Sequence, residues 1–160
     1  MSNGGWKGTI LRINLTTGRI SKEPLNMDWA KSFVGGRGLA AKYLYEEMDP
    51  ATDALSPDNK MIFATGPMTG TNASTSSRYM VVTKGALTNA ITTSNSGGQW
   101  GPELKFAGYD MLILEGRASV PSYISICDDD VRICSAEHLW GKTVWETDDL
   151  VREESGQHDT

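Results

Sequence analysis

The chain has 160 residues, 39% of them hydrophobic and 22% charged, which is about one domain's worth and excludes disordered and fibrous classes. Its apolar runs are only a few residues long, and Met1-Ser2-Asn3-Gly4-Gly5 lacks a basic-then-apolar leader, so a cytoplasmic protein with no membrane span is expected. Net charge is −5, with 12 Lys/Arg against 10 Asp/Glu in residues 1–127 and 3 against 10 in residues 128–160; no basic face is offered to nucleic acid, and the acidic end reads as a solvated helix face, with partner docking the minority reading.

In chain order, Thr9 to Leu15, a Thr16-Thr17-Gly18 turn and Arg19 to Ser21 predict a β-hairpin. Asn26 is a candidate N-cap for a helix carrying Met27, Ala30, Phe33 and Val34 at helical spacing and ended by Gly35-Gly36. A second helix is predicted from Leu39 to about Met48, and Met61 to Ala64 reads as a buried strand. The hydroxyl-rich stretch Thr69 to Ser77 is a loop whose side chains can cap turns or line a polar pocket, followed by a strand from Arg78 to Thr83. Ala90 to Thr93 is a short strand that runs into a polar loop, Asn95-Ser96-Gly97-Gly98, and Pro102 sits in the first turn of a helix stopped by Gly108. Met111 to Leu114 is a strand, Tyr123–Ile126 and Val131–Ile133 form a hairpin, and Thr143 caps a last helix from about Val144 to Glu153. The order gives an α+β fold, strand-dominated with few helices. Hairpins at both ends and two Gly-Gly pairs each leading to a helix hint at an internal duplication.

Chemistry concentrates in the polar loop. Small residues at Ser96, Gly97 and Gly98 allow close backbone approach and an anion-holding concavity, and a helix starting just beyond adds unpaired N–H groups. Arg78 follows four small polar residues, Ser74 to Ser77, and carries an always-charged planar fork suited to phosphate, against the ordinary reading of a surface ion pair. Asn95 alone reads as a residue that bonds its own turn. Gly36-Arg37-Gly38-Leu39-Ala40-Ala41 fits G-x-G-x-x-A but follows a helical pattern rather than a strand, so it reads as a helix–helix corner with Arg37 as a salt-bridged surface residue. Cys127 and Cys134 flank Asp128-Asp129-Asp130 and are expected to be reduced; there is no C-x-x-C, and two thiolates cannot ligate an iron–sulfur cluster alone. His138 and His158 are isolated from other ligands, and no catalytic Ser-His-Asp set or carboxylate pair can be assigned. The five tryptophans are too scattered for a stacking stripe.

Ser94-Asn95-Ser96-Gly97-Gly98 with Trp100-Gly101, Glu103-Leu104-Lys105 and Ala107-Gly108-Tyr109-Asp110 resembles the N-terminal domain of the tungsten-containing aldehyde ferredoxin oxidoreductases. Gly36 to Ala40, Leu55 to Lys60, Ala64 to Thr71, Arg78-Tyr79, Val81 to Lys84 and Leu139 to Lys142 agree in the same order, from about Trp6 to Arg152. The resemblance implies a two-sheet α+β unit forming a base under a tungsten bis-pterin cofactor, or its molybdenum analogue. It implies that Arg78, Asn95, Ser96, Gly97 and Gly98 contact the cofactor, and that the main-chain carbonyl of Asn95 ligates a Mg ion bridging the pterin phosphates; hard oxygen ligands suit that ion. It further implies a 4Fe-4S cluster ligated outside this segment, ferredoxin as electron acceptor and a small aldehyde as substrate. Residues 1–160 are accordingly read as a single, truncated N-terminal domain, inactive and metal-free by itself, with exposed apolar surface that favours a homo-oligomer. The rival reading is a non-catalytic module that uses the Asn95 loop to bind an anion or a partner without redox chemistry.

Overall fold

The computed structural model describes residues 4–155; His158 lies outside them. Eight strands and four helices follow one another as β1 (Thr9–Asn14), β2 (Arg19–Pro24), α1 (Met27–Phe33), α2 (Gly36–Glu47), β3 (Lys60–Thr65), β4 (Tyr79–Lys84), β5 (Ile91–Ser96), α3 (Trp100–Phe106), β6 (Met111–Glu115), β7 (Ser122–Cys127), β8 (Asp130–Ser135) and α4 (Val144–Ser155). Six strands form one sheet in the order β2-β1-β6-β3-β4-β5, and β7-β8 form a second. The fold is α+β and strand-dominated, as the element pattern predicts.

Strand alternation sorts the large sheet into two apolar faces. Ile10, Ile62, Ala64, Val82, Met111 and Ile113 turn to one side and pack with Leu39, Ala40 and Leu44 of α2 and Ala30 of α1. Leu11, Ile13 and Leu112 turn to the other, where Leu104 of α3, Tyr109 and the partly buried Ile124, Ile126, Val131 and Ile133 of the β7-β8 hairpin close over them. Hairpins flank the central antiparallel β3-β6 pair on both sides, yet β1 runs parallel to β6 whereas β4 runs antiparallel to β3, so the duplicated look of the sequence does not extend to strand direction.

Local chemistry explains the boundaries. Asn26 accepts from the N–H groups of Asp28 and Trp29, as an N-cap should, and Thr143 and Glu146 close a reciprocal capping box at the start of α4. Pro102 occupies the first turn of α3, and Gly108, just past its end, has φ 96°. Three boundaries differ from expectation. The α1 helix stops at Phe33, with Val34 rather than a glycine taking positive φ; α2 begins at Gly36 rather than Leu39, so the G-x-G corner lies inside the first helical turn; and β5 continues through Asn95 and Ser96, which pair with Met80 and Tyr79. That last stretch reads as a loop because it is polar, but an edge strand exposed along its length needs no apolar face, and Thr92-Thr93 favour extended backbone.

Two ionic clusters tie the layers together. Asp110, 2% exposed, accepts from Lys105 and from the N–H groups of Lys7 (3.1 Å) and Gly8 (2.7 Å), while Lys105 also donates to the Gly5 carbonyl at 2.6 Å. On the α2 side of the sheet, Arg12 pairs with Glu23, Glu47 and Glu115, and Lys60 reaches Glu115 as well. Burial alone would raise the Glu115 carboxyl, but Lys60 and Arg12 outweigh it and hold it below its ordinary value of 4.5.

Removing Asp110 strands a buried ammonium, so Asp110→Ala should cost about 3–5 kcal/mol in urea unfolding, and Lys105→Met combined with Asp110→Leu should lose less than Asp110→Ala alone. A depressed Glu115 carboxyl adds stability that is present above pH 4.5 and is lost as pH falls through the lower folded value. Glu115→Gln should therefore lower Tm near neutrality and flatten its decline on acidification; parallel Tm–pH curves for the variant and the parent protein would remove this role.

Candidate functional site

Arg78 and Asn95 meet at one end of the β4-β5 edge. Arg78 Nη1 donates to Asn95 Oδ1 at 2.6 Å, and both residues are exposed. Asn95 pairs with Met80, so the side chains of Arg78, Met80 and Asn95 share the sheet face that α2 covers. The pairing also sets the Asn95 backbone. Gly85 N–H donates to the Ala90 carbonyl at 2.9 Å, and in an antiparallel ladder such bonded pairs alternate with unbonded ones. Counting along the register puts Met80 and Asn95 in an unbonded pair, which directs the Asn95 N–H and C=O away from β4 to the open sheet edge. Thr93 and Ile91 turn their polar backbone groups the same way.

Beyond Ser96 the chain turns at Gly97, Gly98 and Gln99 into α3. Gly98 has φ 81°, where a side chain would be strained, and a Cβ on Gly97 would meet nothing closer than Ser77 Oγ at 3.6 Å. Trp100 wedges beneath the turn from the other face, 4.5 Å from the Tyr79 ring and 5.3 Å from Phe63. Gly101 allows α3 to approach that closely, because a Cβ there would lie 2.9 Å from the Ser77 carbonyl oxygen.

Beside Arg78 lies an open concavity of about 340 Å³ walled by Val34 to Gly36, Gly66 to Thr69, and Thr75 and Ser76, with Met80 at its floor. The start of α2 abuts it: its N-cap Gly35 supplies no side-chain bond and no acidic residue occupies the first turn, so helix-end amides and dipole border the hollow uncompensated. Gly35 is required by space, since a Cβ would sit 2.9 Å from both Gly66 Cα and the Thr65 carbonyl oxygen. Thr69, 5% exposed, accepts from Gly66 N–H and donates to the Arg78 carbonyl, both at 3.0 Å.

The structure thus brings Arg78, Asn95, Ser96, Gly97 and Gly98 to one rim, with Ser96 in register with Tyr79 and its side chain on the opposite sheet face. Sequence reasoning reads the Thr69 to Ser77 hydroxyls as able to line a pocket, and Thr69, Thr75 and Ser76 do, but it missed the Val34 to Gly36 and Gly66 to Met68 walls; the signal available was the Gly35-Gly36 pair. Arg37 is exposed and forms no ion pair among the described residues, contrary to the salt bridge expected. His138 instead pairs with Glu154 at 2.6 Å. Among the described residues, no group of three or more His, Cys, Asp or Glu side chains could hold a metal ion, and no helix is long and apolar enough to cross a membrane. Cys127 and Cys134 pair with Asp130 and Tyr123 respectively, at opposite ends of the hairpin, and both are free.

The sequence matches the family model described as aldehyde ferredoxin oxidoreductase, N-terminal domain, over residues 10–160. It is 52% identical over 152 residues to the tungsten-containing aldehyde ferredoxin oxidoreductase of Pyrococcus abyssi, covering 95% of this chain and 25% of that protein. Its counterpart in Thermococcus kodakarensis is 50% identical over 155 residues, 97% of this chain and 26% of the relative. A solved structure, the active-site complex BamBC of benzoyl coenzyme A reductase with 1,5-dienoyl-CoA, superposes with a TM-score of 0.92 at 35% identity, covering 96% of this chain and 23% of that one. The chain spans about a quarter of the length of the relatives it matches. On sequence and fold together, it belongs to the family of aldehyde ferredoxin oxidoreductase N-terminal domains.

Proposed function

We propose that residues 1–160 form one domain, the base on which an aldehyde-oxidising enzyme seats a tungsten–pterin cofactor. The observation that carries this reading is the Arg78–Asn95 pair at the open edge of β5 beside the α2 concavity, in a chain about half identical to enzymes named for tungsten and aldehyde. The residues fit such a group. Arg78 offers a guanidinium already oriented by Asn95, Gly97 and Gly98 leave room for close backbone approach, and the outward Asn95 carbonyl is a hard oxygen donor suited to Mg. When bound, the cofactor supplies the two-electron chemistry of aldehyde oxidation.

This chain's own residues bind and orient. Arg78 neutralises phosphate charge through a charge-assisted contact, the Gly97-Gly98 turn admits the ligand's edge, and the dipole of α2 favours an anion in the adjoining hollow. Val34 and Met68, 57% and 59% exposed at the rim, are apolar surface that the remainder of the enzyme covers in this reading. The 4Fe-4S cluster, the ferredoxin contact and the aldehyde channel belong to that remainder, in a cytoplasmic enzyme. The benzoyl coenzyme A reductase complex shares this fold while its ligand, 1,5-dienoyl-CoA, is not an aldehyde, so the choice of aldehyde rests on the higher identity to the aldehyde enzymes.

In the complete enzyme, Arg78→Ala should lower tungsten content while leaving Tm nearly unchanged, because an exposed arginine adds little to folding but about 1.5–3 kcal/mol to a bound anion. Gly97→Val should lower occupancy further by filling the approach. Asn95→Ala should be the mildest, since the main-chain carbonyl survives. Metal analysis beside thermal melts decides: full tungsten in both Arg78→Ala and Gly97→Val makes the rim purely structural.

A further inference from the structure

Arg78 immediately precedes β4, at the end of a loop from Met68 to Ser77 that bonds chiefly to itself: Gly70 N–H to the Ser76 carbonyl, Ser76 Oγ to the Thr71 carbonyl, Thr71 Oγ1 to the Met68 carbonyl. None of those bonds holds Arg78 itself. Thr69 does, on the N-terminal side of Tyr79, whose own pairing with Thr65 and Ser96 begins the strand. The Thr69 hydroxyl is almost fully enclosed, and both of its hydrogen-bonding roles are used: it donates to the Arg78 carbonyl and accepts from Gly66 N–H, each at 3.0 Å. Its methyl lies against the first turn of α3, 3.4 Å from where a Gly101 Cβ would be. Gly66 directly follows Thr65, whose N–H and Oγ1 both donate to the Asp110 carbonyl, at 3.0 and 2.8 Å. One unbroken line of bonds therefore runs from the buried Lys105–Asp110 pair through Thr65 and the Gly66 turn to Thr69, and from there to the Arg78 backbone.

We propose that Thr69 is a positioning residue of the site: its hydroxyl holds the Arg78 main chain so that the guanidinium is presented beside Asn95 at the rim. The line of bonds is a feature of this chain by itself; its consequence for a cofactor rests on the proposed role of Arg78. Without the hydroxyl, Arg78 keeps its side-chain bond to Asn95 but loses the backbone anchor that makes that bond cheap to maintain, because one tether no longer limits the motion of the other. Gly66 N–H and the Arg78 carbonyl would both be left without this partner.

The test compares Thr69→Val, which keeps the shape and removes the hydroxyl, with Thr69→Ser, which keeps the hydroxyl and removes the methyl. Thr65→Val is the structural control, since it deletes a buried hydroxyl of the same kind while the Thr65 N–H keeps its bond to the Asp110 carbonyl and so leaves the line to Arg78 unbroken. The first readout is the rate at which phenylglyoxal modifies Arg78 in cofactor-free protein, followed by peptide mass spectrometry. Loss of one hydrogen bond should raise that rate about three- to tenfold in Thr69→Val, leave it unchanged in Thr69→Ser, and leave it unchanged in Thr65→Val despite a lower Tm. The second readout is tungsten per chain in the complete enzyme, which should fall in Thr69→Val and recover in Thr69→Ser. A parental Arg78 rate in Thr69→Val, or an equal rise in Thr65→Val, overturns the proposal. If Thr69→Val accelerates labelling while Arg78→Ala keeps full tungsten, the positioning role stands and the cofactor reading fails.

Discussion

Asp110 is the residue on which the architecture closes. Its carboxylate neutralises Lys105 of α3 and gathers the N–H groups of Lys7 and Gly8, its carbonyl receives two bonds from Thr65, and its own N–H donates to the Thr9 carbonyl at 2.9 Å. Through these contacts one position fixes the start of β1, the end of β3, the end of α3 and the start of β6. A buried ion pair is weak evidence for stability by itself, because desolvation consumes most of the attraction. Here every remaining acceptor is satisfied by a specific backbone group, and among the described residues no buried side-chain polar atom lacks a partner, so the pair fixes register rather than adding bulk stability.

That division of labour explains which parts could be read from the sequence. Elements that bury a face announced themselves by spacing: Leu39, Tyr43 and Leu44 on α2, the apolar run Met111 to Leu114, and the Thr16-Thr17-Gly18 turn all appear where periodicity puts them. Caps at Asn26 and Thr143 were equally legible, since a short polar side chain before an apolar period has one common use. Illegible was β5. Its residues Ile91 to Ser96 are all exposed, so burial never imposed an alternation, and a strand held only by its neighbour looks like a loop in sequence. The concavity was illegible for a different reason: Gly35 and Gly66 approach each other across 30 residues, and nothing local to either says that they touch. The rim residues Arg78, Asn95 and Gly97 were found through family resemblance, whereas their mutual geometry, above all the Arg78–Asn95 bond, needed the fold.

An uncharged, fully exposed edge strand is ordinarily a liability, because its free N–H and C=O groups invite pairing with another chain. The β5 strand has neither lysine nor proline along Ile91 to Ser96, and its outward backbone groups at Ile91, Thr93 and Asn95 follow from the register. That edge is unguarded at the same place where Arg78, the Gly97-Gly98 turn and the uncapped start of α2 converge, and under the proposed function the bound group and the remainder of the enzyme would cover it.

The two sides of the candidate site are held differently, and under the proposed function the difference would have a chemical use. On the Arg78 side, Thr69 and the Asp110 network anchor the backbone into the core; on the Asn95 side, the chain is an edge strand followed by two glycines, one of them at positive φ. A cationic side chain that must meet a fixed charge gains from being pre-positioned, because less rotamer freedom remains to be lost on binding. A backbone carbonyl serving a cation gains from the opposite, since an octahedral ion sets its own angles and the donors must adjust to it. Under the proposed function, a guanidinium whose backbone is anchored beside β4 and a carbonyl on the β5 edge would each suit the partner assigned to it, and an open sheet edge leaves room for both.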